Sequence, residues 1–160
     1  FLFTWTIGGL WVFITMAAGL AAMTSAKAVP LSWYALIGIV LWLEGFIFEV
    51  VADHQKTRFR SKKENRDKFI NEGLWSLSRH PNYYGEITLW LGIAFIAFPV
   101  LQGWQLLTLI SPIFVYILLT RISGVNMLER RADKKWGDDP EYQLYKETTS
   151  SLIPIAKRKK

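Results

Sequence analysis

The residues best placed to do chemistry are Arg79-His80-Pro81-Asn82-Tyr83-Tyr84-Gly85-Glu86, which stand where a basic polar segment turns into an apolar one. His80-Pro81 reads as a helix start, because proline's missing N–H would be unpaired at the first helical position in any case. The positive end of that helix suits an anionic group. Asn82 and Glu86 stand four apart and project from one face. An amide and a carboxylate one turn into such a helix can bind a polar ligand. A plain alternative stands beside this: a capped helix start, with Tyr83 and Tyr84 in an interfacial aromatic belt.

Other acidic residues call for partners. Glu44 and Glu49 interrupt an apolar run, and carboxylates at membrane depth face a cavity or a partner. For Glu44 a hydrogen bond to a neighbouring helix is the expectation; for Glu49, a site or an interfacial ion pair. Asp53 sits where the helix dipole disfavours negative charge. If the helix continues, Glu49, Asp53 and Arg60 share one face, and a ladder of pairs with Lys56 and Arg60 is the simplest compensation. Glu129, Arg130, Arg131 and Asp133 lie on a charged stretch expected to be a solvated amphipathic helix.

The elements that position these groups follow from composition. The chain has 160 residues, 51% hydrophobic and 15% aromatic, too apolar for an ordinary water-soluble domain. Residues 1–23 and 104–120 carry no charge, 28–52 carry only Glu44 and Glu49, and 84–101 only Glu86. Each run approaches the roughly 20 residues that cross a hydrocarbon core. The expected fold is all-α, a polytopic bundle of four transmembrane helices with short cytosolic helices, as one membrane domain. The first helix lacks the basic flank of a signal peptide. The fourth is expected to run as one helix with a kink at Pro112, tolerated by its neighbours. Asn126 to Trp136 and Glu141 to Thr148 read as further helices.

Charge fixes an expected topology. Of 19 Lys and Arg, eight lie in residues 53–80 and ten from Arg121 onward. Four spans put both segments on one side, which the positive-inside rule makes cytoplasmic. The net charge of +6 suits anionic lipid or a phosphate-bearing cofactor. The tail Lys157-Arg158-Lys159-Lys160 is expected to lie disordered against lipid headgroups. The chain has no cysteine, which excludes disulfides and thiolate chemistry, and its two histidines lack metal-ligand spacing. No glycine-rich nucleotide fingerprint occurs, and the membrane setting argues against a nucleic-acid partner.

Longer motifs carry a resemblance. Glu49-Val-Val-Ala-Asp53-His-Gln55-Lys-Thr-Arg58-Phe59, then residues 73–86, then Leu128-Glu129-Arg-Arg-Ala-Asp-Lys-Lys-Trp136-Gly-Asp-Asp-Pro140-Glu-Tyr142, then Leu152-Ile-Pro154 resemble the DUF1295 membrane proteins, which belong with the steroid 5-alpha-reductase superfamily. The resemblance implies a multi-helix membrane reductase of the endoplasmic reticulum or a bacterial inner membrane. Such enzymes use NADPH to reduce a carbon–carbon double bond conjugated to a carbonyl in a lipid-like substrate. It implies that Asp53, Arg60 and Lys68 hold the adenine-nucleotide and phosphate parts of the cofactor, with Asn82 and Glu86 near the nicotinamide. Glu49, Arg79, His80, Tyr83 and Glu129 complete the implied cofactor face. Lys68 stands where the steroid enzymes carry arginine, and lysine cannot make the same planar bidentate contact. The superfamily's carbonyl-polarising Glu–Tyr pair lies upstream of the matched region, so the catalytic residues are not placed; Tyr83 and Glu86 are the candidates within reach. Phe1 is not a start methionine, and the chain resembles the C-terminal, cofactor-binding part of a longer protein.

Arg79-His80-Pro81-x-Tyr83-x-Gly85-Glu86 is also similar to the isoprenylcysteine and phospholipid methyltransferases, which implies S-adenosylmethionine as the alternative cofactor. The Ala-Asp-x-Gln-Lys segment favours the reductases, and Glu129-Arg130 replaces the methyltransferases' paired glutamates. A lipid-binding protein that kept the fold without the chemistry is the third reading.

Overall fold

The computed structural model describes residues 2–155; the basic tail expected against lipid headgroups lies outside them. The described residues form six α-helices linked by tighter turns: α1 (Leu2–Met23), α2 (Trp33–Ser61), α3 (Pro81–Ala97), α4 (Ser111–Ile117), α5 (Val125–Trp136) and α6 (Pro140–Thr148). Helix ends fall where the sequence provides for them. Thr24 Oγ1 caps the end of α1 by donating to the Leu20 carbonyl at 2.9 Å. Pro81 opens α3, and Pro99 falls in a 3-10 turn, Phe98–Val100, that closes it. α2 runs two turns past Asp53, as expected, before the basic loop begins.

The expectation for the fourth apolar stretch is corrected. It is not one kinked helix but three helical forms in series: a 3-10 helix (Gly103–Ile110), α4, and a π-helical turn (Leu118–Ile122). Gly103 turns the chain at φ +50°, and Gln102 and Gln105 cap each other across the first turn. Pro112 sits in the first turn of α4, where its missing N–H is least felt. A chain with i→i+3 bonds before the proline avoids the clash that an α-helix would meet there.

Four helical stretches are long and apolar enough to cross a membrane. Their surfaces carry large apolar side chains: Phe3 is 78% exposed, Trp5 70% and Val40 64%. An exposed apolar band of this extent is the surface of a protein solvated by lipid. The chain is an integral membrane protein with an all-helical fold.

The chain divides into two compact units. One comprises the chain up to Glu44 together with Ile87–Leu118. Its core is small: Ala18 and Ala97 are almost fully buried and pack with Leu101. Polar bonds add to it, Ser111 Oγ donating to the Thr15 carbonyl at 2.8 Å and Ser25 Oγ to the Val100 carbonyl at 2.7 Å. Gly38 and Gly92 let the backbones of α2 and α3 touch, since a Cβ on Gly92 would lie 2.6 Å from the Gly38 oxygen.

The other unit comprises Gly45–Glu86 and the chain from Leu119 onward. Gly85 plays the same part here: a Cβ on it would lie 2.6 Å from both the Glu49 nitrogen and the Gly45 oxygen. The basic loop is pinned at Gly73, which has φ +59°. Gln55 Oε1 accepts the Leu74 N–H at 2.9 Å, and Trp75 Nε1 donates to the carbonyl of the fully buried Ala52 at 3.0 Å. The segment after α6 runs beside the segment before α3. Ser78 and Ser150 pair as a parallel bridge, Arg79 N–H donates to the Ser150 carbonyl at 2.9 Å, and Ser78 Oγ donates to the Leu152 carbonyl at 2.8 Å.

Candidate functional site

The second unit holds a cavity of about 430 Å³, within the ~300–1,000 Å³ typical of small-molecule sites. Its wall is cationic and aromatic. Lys56, Arg60, Arg79, Arg131 and Lys135 line it against a single carboxylate, Glu129. Phe69, Trp75, Trp136, Tyr142 and Tyr145 supply flat apolar surface. Lys56 and Arg60 come from one face of α2, four residues apart, and Arg131 and Lys135 repeat the spacing on α5.

Aromatic contacts build the floor. Phe69 stacks on Tyr145 at 5.4 Å and meets Tyr142 and Trp136 edge-on at 5.3 and 6.1 Å. Trp136 Nε1 donates to the Asp67 carbonyl at 2.6 Å, and Lys135 pairs with the exposed Asp67 carboxylate at 3.1 Å, so the basic loop is tied to α5. Asp133 accepts from Lys146 at 2.6 Å and from Tyr142 Oη at 3.0 Å. Tyr145 Oη donates to the Trp75 carbonyl at 2.6 Å. Burial holds the Tyr145 phenol well above the usual tyrosine range, and burial together with the Asp133 carboxylate does the same for Tyr142. A phenol kept neutral in the fold stabilises it fully below the unfolded tyrosine pKa and less as pH rises above it. Stability should therefore stay level up to about pH 9 and fall above about pH 10. Tyr145→Phe should lower the melting temperature at neutral pH through the lost hydrogen bond, about 1 kcal/mol, and flatten the alkaline fall; melting curves between pH 7 and 11 check both.

One carboxylate oxygen organises the end of the cavity. Glu129 Oε1 lies 3.0 Å from Arg79 Nη2 and 3.4 Å from His80 Nε2, and accepts from Ser151 Oγ at 3.2 Å. Arg79 Nη1 donates to the Lys146 carbonyl at 3.1 Å, while its Nε is buried without a partner. His80 is buried, its backbone N–H donates to Ser78 Oγ at 3.1 Å, and its ring stacks parallel to the Tyr83 ring at 5.6 Å. The stretch expected to be a solvated amphipathic helix is thus tied through Glu129 to Arg79 and His80, and through the more exposed Asp133 to Lys146 and Tyr142.

Tyr83 leads to a second group. Asn82 Nδ2 donates to Asp53 Oδ1 at 3.2 Å, and Glu49, Asp53, Tyr83 and Glu86 are near enough to interact electrostatically. The expected ladder from Asp53 to Lys56 and Arg60 is absent among the described residues. The Asn82 amide meets Asp53 instead, and Lys56 lies over the Trp75 ring at 4.9 Å. The start of α3 is therefore surrounded by carboxylates, and the cations gather in the cavity.

The sequence-predicted residues separate accordingly. Arg60, Arg79, His80 and Glu129 meet at the cavity; Glu49, Asp53, Asn82, Tyr83 and Glu86 meet beside the start of α3. Lys68 is exposed and lines neither. Sequence reasoning did not assign Lys56, Arg131, Lys135 or the aromatic rings to the site. The i,i+4 spacing of Lys56 with Arg60 was an available signal, and Phe59, Trp75, Trp136 and Tyr142 lay within the motifs, but their convergence depends on α6 folding back onto the loop.

The cavity suits an anion with a flat ring system. Lys56, Arg60 and Arg131 make no ion pair among the described residues, and Arg79 Nε is an unused buried donor. Spare cations facing indole and phenol rings are the surface that takes phosphates on one side and a base on the other.

The family described as Protein of unknown function (DUF1295) matches residues 1–149. Steroid 5-alpha-reductase DET2 of Arabidopsis thaliana is 30% identical over 126 residues, 77% of this chain and 42% of that protein. The 3-oxo-5-alpha-steroid 4-dehydrogenase 1 of Rattus norvegicus is 32% identical over 75% of this chain and 41% of its own length, and that of Mus musculus 27% identical over 75% and 42%. The chain spans about two fifths of the length of these relatives. No solved structure matches it. On the family match and these relatives together, the chain belongs to the DUF1295 family within the steroid 5-alpha-reductase superfamily.

Proposed function

We propose that this chain is the cofactor-binding part of a membrane reductase that uses NADPH to reduce an activated carbon–carbon double bond in a lipid-like or steroid-like substrate. The observation that carries the reading is the cavity of the second unit: five Lys and Arg side chains and six aromatic rings, Phe59 among them, around one carboxylate. The relatives named as steroid reductases support the reaction class.

Each residue then has a task. Lys56, Arg60, Arg79 and Arg131 bind phosphate groups, with Arg79 held in place by Glu129. The Trp75 and Trp136 rings take the adenine face. Asn82 orients the nicotinamide carboxamide, and Asp53, Glu49 and Glu86 accept sugar hydroxyls. Tyr83, stacked on His80, closes the nicotinamide end and keeps water from it. When bound, the dihydronicotinamide supplies the hydride. The two basic segments face the cytoplasm, where a soluble cofactor reaches them, and the substrate enters from the bilayer.

Titration of detergent-purified protein with NADPH, NADH and S-adenosylmethionine tests this. Saturable NADPH binding is expected, weakened about tenfold or more by Arg60→Ala and by Asn82→Ala, since a charge-assisted hydrogen bond contributes ~1.5–3 kcal/mol. Unchanged NADPH affinity in both variants overturns the site. Binding of S-adenosylmethionine in place of NADPH moves the protein to the methyltransferases. Binding of none by the full-length protein leaves a non-catalytic lipid-binding membrane protein.

A further inference from the structure

A second recess lies along α5, next to the cavity and sharing Arg131 with it, with a volume of about 370 Å³. Its cations are Arg121, Arg130, Arg131 and Lys134, and no carboxylate lines it. None of the four takes part in an ion pair among the described residues. This is unusual for a helix that also carries Glu129 and Asp133. Both of those are turned to partners inside the unit, Arg79 and His80 for one, Lys146 and Tyr142 for the other. The sorting leaves an uncompensated positive recess, whose mutual repulsion an anion would relieve.

Two further features set the class of anion. Ile122 and Met127, which also line the recess, are 67% and 43% exposed, so the cations stand beside bare apolar surface. Arg121 and Ile122 end the π-helical turn that closes the fourth apolar stretch. Asn126 Nδ2 donates to the Arg121 carbonyl at 3.4 Å, which holds that turn against the first turn of α5. Cations at the end of a membrane-length apolar stretch, beside exposed Ile and Met side chains, match a ligand that is anionic at one end and apolar at the other. A soluble phosphate would use the cations and leave the apolar wall in water.

We propose that this recess binds the phosphate headgroup of an anionic membrane lipid, with Arg121, Arg130 and Lys134 on the phosphate and Ile122 and Met127 against the upper acyl chain. The site is separate from the cavity assigned to the cofactor and does not depend on that assignment. Arg131 lines both and is left unchanged in the test.

The test is lipid retention by detergent-solubilised protein, read by native mass spectrometry with phosphatidylglycerol or phosphatidylcholine supplied in equal amount. Phosphatidylglycerol should be retained in preference. Arg130→Ala with Lys134→Ala should weaken its retention about thirtyfold, the sum expected of two interfacial cations. Arg130→Lys with Lys134→Arg should restore it, which separates lost charge from lost fold. Equal retention of both lipids overturns the proposal, as does undiminished phosphatidylglycerol binding in the alanine variant. Complete displacement of the lipid by millimolar inorganic phosphate reassigns the recess to a soluble anion and overturns it too. NADPH affinity, measured on the same variants, should not change.

Discussion

Gly85→Leu is expected to prevent the second unit from folding. The hydrogen at this position faces backbone, not side chain: a Cβ would lie 2.6 Å from the Glu49 nitrogen and the Gly45 oxygen and 3.1 Å from the Glu49 Cα. Backbone atoms inside a helix cannot swing aside as a side-chain tip can. Relief requires α3 to move away from α2. That movement would break the Asn82–Asp53 hydrogen bond and the edge-on contact of Tyr84 with Phe48 at 5.1 Å. Overpacking costs about 1–3 kcal/mol in cores that can relax, and this contact sits at or above that range. Thermal melting in detergent should show a large drop or no cooperative transition, and NADPH binding should vanish with it. Gly85→Ala should lie between. Val40→Leu, on an exposed apolar position of α2, should melt like the parent protein. A Gly85→Leu variant that melts within a few degrees of the parent would show that the helices do not approach as described.

That contact also marks what was legible in the sequence. Gly38 and Gly45 are spaced by seven, and so are Gly85 and Gly92. The spacing is readable, but which glycine meets which backbone depends on helix register, which no single strand of sequence fixes. The four spans were legible because a charge-free run of about 20 residues has few other uses. The helix start at Pro81 and the stop before Thr24 were legible because proline and capping hydroxyls act locally; α6 begins at Pro140, one residue before the start expected at Glu141. The fourth span was legible as a span, but not its alternation of 3-10, α and π geometry, because an all-apolar run gives no local signal of where one form passes into the next. At the site, Arg60, Arg79, His80 and Glu129 were found through motif and charge. Their division from Asn82, Asp53 and Glu86 was not, since it is set by the reach of side chains across three helices. The aromatic floor is the extreme case: Tyr145 and Trp75 are joined by a hydrogen bond across 70 residues of sequence.

Arg79→Ala is expected to remove cofactor binding, and Arg79→Lys to fail to restore it. The guanidinium makes two contacts at once. Nη2 holds Glu129 at 3.0 Å and Nη1 holds the Lys146 carbonyl at 3.1 Å, while the side chain lines the cavity. Only a planar group with several fixed donors serves both directions. Alanine leaves the half-buried Glu129 with His80 at 3.4 Å and Ser151 as its remaining donors, a loss of about 2–4 kcal/mol if the carboxylate stays ionised. Lysine restores the charge but has one nitrogen, which cannot hold Glu129 and the Lys146 carbonyl in the same planar arrangement. NADPH affinity should therefore fall about a hundredfold or more in both variants. Melting temperature should fall in Arg79→Ala and recover partly in Arg79→Lys. The split between affinity and stability is the informative result. Affinity and stability recovering together in the lysine variant would make Arg79 a structural cation alone, and the phosphate contacts would then have to come from Lys56, Arg60 and Arg131. A double-mutant cycle with Glu129→Ala isolates the ion pair, and a coupling near zero would mean that Arg79 is held by the Lys146 carbonyl and not by Glu129.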